Sequence, residues 1–273
     1  MCIRDRDNTP PATNRSGLSQ VVYCPLEMKY TSSDARLMLW SDGDALHTVY
    51  RNALRQLKLV NALLDFSRLE AGQLVLARFQ LRRPARGELW ALERADLERE
   101  WTVLAGDLVA FAHASYGLEL ARELFPTAEP EPEVLAAVTA LWDVLVARGP
   151  TAGALRTYEL ALLERLGTGL AIDLCAVCGR QDDLTWFDPG RGGALCARCA
   201  QGSRGHGVRP LAPSTRAYLS RLAGADLAEA GAIDATVDPA DRVLAREAMH
   251  AVLAAQVGHP LRSVEFLTKL AHR

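Results

Sequence analysis

The chain is poor in aromatic residues, which make up 6% of its 273 positions, so a sheet-rich core built on Phe, Tyr and Trp is not expected. It has no excess of positive charge: the formal net charge is -2, and no global field draws it to nucleic acid. Any such contact must come from local clusters. No run approaches the ~18 apolar residues that span a bilayer, so no membrane association is expected. The opening residues Met1-Cys2-Ile3-Arg4-Asp5-Arg6 lack the apolar core of a secretory signal. Glycine-rich phosphate loops, nucleophile elbows and HExxH patterns are missing too, which argues against an enzyme. What is present is an Ala-, Leu- and Arg-rich composition that favours helices, and a chain long enough for two cores.

Four of the six cysteines stand in one short stretch: Cys175-Ala-Val-Cys178, seventeen residues, then Cys196-Ala-Arg-Cys199. Two CxxC pairs at this distance match a four-thiolate zinc site. Each CxxC turn aims two sulfurs at one centre, and Zn²⁺ takes four of them tetrahedrally. Gly179, Asp188-Pro189-Gly190 and Gly192-Gly193 supply the turns of two short knuckled hairpins. Leu174 and Leu195 are expected to pack this module on the helical body, with Trp186-Phe187 as its small core. The rival readings are two disulfides or one redox CxxC. Reduced thiols and no export signal favour zinc, the cytoplasm, and one closed structural ion rather than a catalytic one.

Residues 1–45 read as a disordered arm or as sequence foreign to the rest, since 8–19 is rich in Pro, Thr, Asn and Ser. A strong helical stripe (Tyr50, Leu54, Leu57, Asn61, Leu64) lies in 46–72. Gln73–Leu81 and Glu88–Leu92 read as a hairpin with Arg82, Arg83 and Arg86 at its tip. Helices are expected at 96–125, 133–148, 151–166, 213–223, 239–257 and from about Pro260 to Leu270, with the cysteine module at 170–200. Arg198, Arg204 and Arg209, followed by Arg216 and Arg221, make the stretch after the module a candidate phosphate-contacting patch, as does the hairpin tip. Arg156 and Arg165 read as solvated positions on one helix. His113, His250 and His259 read as satisfied or surface histidines, and Tyr116 and Trp142 as core.

Several segments carry a resemblance. LVNALLDFSRLEAGQL is similar to the second dimerisation helix of sensor histidine kinases, although no phosphoacceptor motif precedes it. GELWALERADL, AGDLVAFAHASYGLELARELF, LRTYELALLERLG, LCAVCG, the Trp186–Cys196 turn and GHPLRSVEFLTKL together resemble the bacterial recombination mediator family RecO, over about residues 73–273. That resemblance implies a mainly α chain with a small β part. In it, 73–95 is the terminal hairpin of an OB-fold barrel, and 96–273 is a helical domain with the zinc module embedded. It also implies a DNA-repair protein of the nucleoid that binds single- and double-stranded DNA and anneals strands. The implied partners are RecR and the tail of single-stranded-DNA-binding protein. A kinase-like helix joined to a RecO-like body reads as a chimeric reading frame in which most of the barrel is missing. The alternatives are a kinase fragment, or a zinc-stabilised module that binds only proteins.

Overall fold

The computed structural model describes residues 20–24, 34–39, 74–82, 91–126, 131–203 and 207–271. The kinase-like helix at 46–72, Arg83, Arg86 and Arg204 lie outside them. The described residues are mainly helical, with two small sheets, and fall into two compact units.

The first unit contains a four-stranded sheet in the order β1 (Gln20–Cys24), β2 (Asp34–Leu39), β3 (Val75–Arg82), β4 (Ala91–Glu100). β1 runs parallel to β2, and the other pairs are antiparallel. β1 and β2 fall within the arm expected to lack structure. Val21-Val22-Tyr23 and the alternating Ala35, Leu37 and Leu39 have the β-branched, aromatic and period-two character of strands. The expected hairpin is present as β3 and β4, but β4 continues to Glu100, where a helix was expected from Asp96. Its Glu- and Arg-rich sequence has helical propensity; ladder pairing with β3 and the Arg78–Glu98 ion pair (2.5 Å) override it. Leu74, Val75, Ala77, Phe79, Trp101 and Leu104 are buried, and Leu74 O accepts from Trp101 N (2.9 Å).

The second unit is a helical body with a small sheet. Its helices are α1 (Leu108–Leu124) and α2 (Pro132–Arg148), whose first turns belong to the other unit, then α3 (Ala152–Arg165), α4 (Ala197–Gly202), α5 (Pro213–Ala223), α6 (Ala230–Asp234), α7 (Pro239–Val257) and α8 (Arg262–Ala271). Breakers fix the boundaries: Pro213 and Pro239 begin α5 and α7, and Gly258 in the left-handed region ends α7. Helix α3 is buried on nearly every side and packs against α5, α6 and α7. Its start explains Gly153. Asp234 Oδ2 accepts from Gly153 N (2.6 Å), and a Cβ there would lie 2.6 Å from Ala230 O. Tyr116 and Trp142 are fully buried, as expected; Trp142 Nε1 donates to Ala114 O (3.1 Å).

Arg156 overturns its expectation. It is 3% exposed, not solvated, because α3 is the central helix of the body. Its Nη2 donates to Glu159 Oε1 (2.5 Å), which also accepts from Tyr116 Oη (2.6 Å) on α1. Nε and Nη1 of Arg156 and Oε2 of Glu159 are buried without a hydrogen-bond partner. Arg165, on the same helix, is exposed as expected. The carboxylate of Glu119, also buried, accepts from Ser263 N (2.9 Å) and Ser263 Oγ, and so ties the start of α8 to α1.

Candidate metal centre

The cysteine module grows out of the end of α3. The chain passes Gly167, forms a bridge at Ala171 with Gly193, and turns at Cys175–Cys178. Gly179, at φ +71°, closes this first knuckle: its N–H donates to Cys175 O (2.9 Å), and Cys175 N donates to Arg180 O (2.7 Å). Strand β5 (Leu184–Asp188) then pairs antiparallel with β6 (Gly193–Cys196), and β7 (Arg209–Pro210) pairs with the other edge of β5. The expected turn is where Asp188-Pro189-Gly190 stands. Asp188 Oδ1 accepts from Gly190 N (3.0 Å) and Arg191 N (3.3 Å), and Oδ2 takes Arg191 Nη1 (2.5 Å). Gly193 admits no side chain, since a Cβ there would meet Ala171 O at 2.7 Å and Ala176 Cβ at 3.1 Å. That close approach brings the first knuckle against β6. Cys196 ends β6 and caps α4, and Cys199 lies in the first turn of α4.

This layout converges Cys175, Cys178, Cys196 and Cys199: their sulfurs all lie within 4.8 Å of one another. Cys178 Sγ and Cys196 Sγ are 3.8 Å apart. A tetrahedron of thiolates at ~2.3 Å from a central ion has edges of about 3.8 Å, so this pair already stands at ligand separation. Cys175 and Cys196 are buried, Cys178 is exposed, and Cys199 is half-buried.

The local electrostatics act on two of the sulfurs in opposite directions. Burial of Cys175 works against its thiolate, but N–H groups of Cys196, Cys178 and Val177 and the Cys178 side chain outweigh it and bring the pKa down to about 6. Cys199 is pushed up to about 12, chiefly by hydrogen bonds with Cys178 and Cys196 and then by burial, so it holds its proton. An ion bound here displaces that proton. Four soft sulfurs in tetrahedral reach are suited to a divalent metal held as a closed set.

Around the module, Phe187 and Leu195 are buried as expected, and Trp186 is half-buried. Leu174 is 42% exposed, contrary to expectation, because the knuckle turns it outward while Ile172 takes the buried position. Of the arginines singled out by sequence, Arg82 is exposed at the end of β3. Arg198 is exposed on α4, and half-buried Arg209 sits on β7 with Nε donating to Gly207 O (3.4 Å). Arg198 and Arg209 share one module; Arg82 belongs to the other unit. Arg216 pairs with Asp173 (3.3 Å) and Arg221 donates to Thr236 Oγ1 (3.1 Å). His259 is exposed and pairs with Glu123 (3.1 Å); His250 and His113 are half-buried.

Sequence reasoning missed the role of Arg156 and Glu159, although a signal was available. Two charges three residues apart interrupt a helix whose other positions (Ala154, Leu155, Leu160, Leu162, Leu163) are apolar, and such charges are paired inside.

A helical body carrying an embedded four-cysteine module is thus the class of protein that fold and site define. The family model described as "Recombination protein O C terminal" matches residues 105–265. A relative named DNA repair protein RecO from Anaeromyxobacter sp. (strain K) is 38% identical over 193 residues, covering 70% of this chain and 74% of that one. RecO of Myxococcus xanthus is 31% identical over 188 residues (68% and 72%), and that of Geobacter sulfurreducens 28% over 197 (71% and 77%). The chain belongs to the RecO family.

Proposed function

We propose that the chain acts in DNA repair and recombination by holding DNA and recruiting protein partners, without bond chemistry of its own, and that its cysteine module carries one structural zinc ion. Family membership supports the first part. The observation that carries the second is the convergence of four sulfurs within 4.8 Å. An all-thiolate set favours zinc and leaves no open position to activate water. Arg198 and Arg209 on the module, with Arg82, Arg83, Arg86 and Arg204, are the proposed contacts to DNA phosphates, single- or double-stranded. RecR and the tail of single-stranded-DNA-binding protein are the proposed partners, and the cytoplasmic nucleoid the proposed place; among the described residues no helix is long and apolar enough to cross a membrane. The strands β3 and β4 are read as the end of an OB-type barrel.

The test is an electrophoretic shift with a single-stranded oligonucleotide over a salt series, beside metal analysis of the same preparation. Log affinity is expected to fall linearly with log salt, as phosphate contacts release counterions. Absence of binding at low salt overturns the DNA reading. Absence of stoichiometric zinc overturns the metal reading.

One observation favours a module that binds protein partners only. Arg180, Arg191 and Arg216 are each engaged by a carboxylate of the module itself (Asp182, Asp188 and Asp173), which leaves less charge for phosphates. Retained partner binding without any DNA shift is the result that selects it.

A further inference from the structure

Helix α4 buries none of its residues. Apolar packing therefore does little to hold it. Its N-terminal end is fixed by Cys196 and Cys199, and its C-terminal end by an exposed hydrogen bond from Arg191 Nη1 to Ser203 Oγ (3.3 Å). Within the sulfur cluster the four members are not equivalent. Cys178 is open to solvent, Cys175 and Cys196 are buried, and the sulfurs of Cys178 and Cys196 are 3.8 Å apart, across the two knuckles. An exposed cysteine sulfur with a second sulfur in contact is the arrangement in which an oxidant entering at one sulfur is resolved by the other.

We infer that Cys178 and Cys196 form a peroxide-modifiable pair, whose oxidation to a disulfide removes two ligands from the cluster and unlatches α4. This rests on the metal-centre reading above. The oxidant is hydrogen peroxide. The Cys178 thiolate attacks one peroxide oxygen: an S–O bond forms, the O–O bond breaks, and the departing hydroxide takes a proton from solvent to become water. The Cys196 thiolate then attacks the sulfenic sulfur: the S–S bond forms, the S–O bond breaks, and a second hydroxide leaves as water. Two electrons from the two sulfurs reduce one peroxide to two waters.

The consequences for the two sides of the module differ. Cys196 remains in β6, paired opposite Leu184 on β5, so the sheet keeps its ladder. Cys175 and Cys199 alone do not complete a tetrahedral set, and the ion is released. Cys199 then loses the tie that anchors α4, and α4 carries Arg198 and leads toward Arg209. Oxidation is thereby coupled to the order of the module's basic edge.

The experiment uses the full chain loaded with zinc and treated with hydrogen peroxide. Zinc release is followed with a chromogenic chelator, disulfides by peptide mapping, and local order by amide hydrogen exchange. One zinc is released per chain, a Cys178–Cys196 linked peptide accumulates, and exchange at 197–203 speeds up by tenfold or more while 184–188 and 193–196 keep their protection. Reductant with added zinc reverses all three. Links confined to Cys175–Cys178 or Cys196–Cys199, or zinc retained at peroxide levels that oxidise free thiols, overturn the proposal. Unchanged protection of 197–203 once the link has formed also overturns it. A preparation that never holds zinc yet still forms the Cys178–Cys196 link sinks the metal reading and supports the pair.

Discussion

The cysteine module and the Arg156–Glu159–Tyr116 cluster both gather polar groups into one place, and they stabilise them by opposite means. In the module, four sulfurs converge on a point that the proposed cation would complete, within a patch whose apolar burial is small. In the helical body the charge and its counter-charge are both supplied by α3, a phenol on α1 adds a hydrogen bond, and the apolar core around them is large. Remove the partner from either, and the cost falls on different things. The module is expected to lose its fold, and the body to keep its packing and lose only the compensation of a buried charge.

The largest expected effect tests the first half of that contrast. Replacing Cys196 with Ser removes one sulfur of the four while leaving the backbone of β6 and of the α4 N-terminus in place. Structural zinc in small modules contributes on the order of 10–16 kcal/mol of apparent binding energy, a share of the module's stability at least as large as the burial of Phe187, Leu195 and their neighbours. Cys196→Ser is expected to abolish stoichiometric zinc and to expose 171–203 to rapid hydrogen exchange. The core of the body around Trp142, Tyr158 and Leu162 stays protected. Full zinc occupancy with an ordered module in this variant would refute the comparison at its base.

The second effect is smaller and opposite in kind. Breaking a buried ion pair from one side costs about 3–5 kcal/mol, because it strands the other charge, whereas replacing both partners by apolar groups is often neutral or stabilising. Glu159→Leu alone leaves the Arg156 guanidinium buried and unpaired and is expected to destabilise by that amount. Arg156→Met combined with Glu159→Leu is expected to recover the part due to the stranded charge, leaving the buried Tyr116 hydroxyl without its acceptor at a cost of about 1–3 kcal/mol. Chemical denaturation of the two single variants and the double variant measures this directly. Losses that simply add would show that the pair is not coupled.

Those two regions also differ in how far the sequence announced them. The module was legible because its chemistry sits in fixed local spacings. CxxC turns, Gly179, the Asp188-Pro189-Gly190 turn and Gly193 are short-range signals, and all of them stand where the residues put them. Helix ends at Pro213, Pro239 and Gly258 were legible for the same reason. The buried cluster was not, because burial of Arg156 is decided by α5, α6 and α7 closing over α3, and no local rule states which helix becomes central. β4 misled for a related reason: Glu93 to Glu100 has the composition of a helix, and only pairing with β3 makes it a strand. Leu174 failed on orientation, since the knuckle sets its direction rather than its hydrophobicity.

A third prediction uses pH to separate the body from the module. His250 on α7 is held down to about 4, first by burial and then by the positive charges of Arg156 and Arg246. Its folded pKa lies below the ordinary value of about 6.5, so the unfolded chain binds this proton more readily. Stability from the neutral imidazole is complete above pH 6.5 and is lost as pH falls toward 4, by up to roughly 3 kcal/mol. Glu159 works the other way. Burial raises its pKa, against the pull of Arg156 and its hydrogen bonds, so acidification relieves a cost of keeping it ionised. Comparing His250→Gln with the parent isolates the histidine. The variant is expected to flatten the stability profile between pH 6.5 and 4, and an unchanged slope would remove His250 from the account.

The smallest effect concerns two arginines of similar position and different engagement. Arg216 is tied to Asp173 at 3.3 Å, an ion pair that is largely solvated on the carboxylate side, while Arg198 on α4 is exposed and, among the described residues, has no such tie. Exposed pairs contribute about 0–1 kcal/mol, and isolated surface arginines less, so neither Arg198→Ala nor Arg216→Ala is expected to move the denaturation midpoint appreciably. The difference appears in binding. If phosphates meet the module's basic edge, an unengaged guanidinium is the one available to them, because Arg216 must first give up its carboxylate. Arg198→Ala is expected to reduce the slope of log affinity against log salt by about 0.7 on single-stranded DNA, the share of one phosphate contact, at every sequence tested. Arg216→Ala is expected to leave that slope nearly unchanged. Equal losses from the two variants would mean that Asp173 does not withhold Arg216 from the nucleic acid. An unaltered slope for Arg198→Ala, with zinc still bound, would move the DNA-contacting surface away from α4.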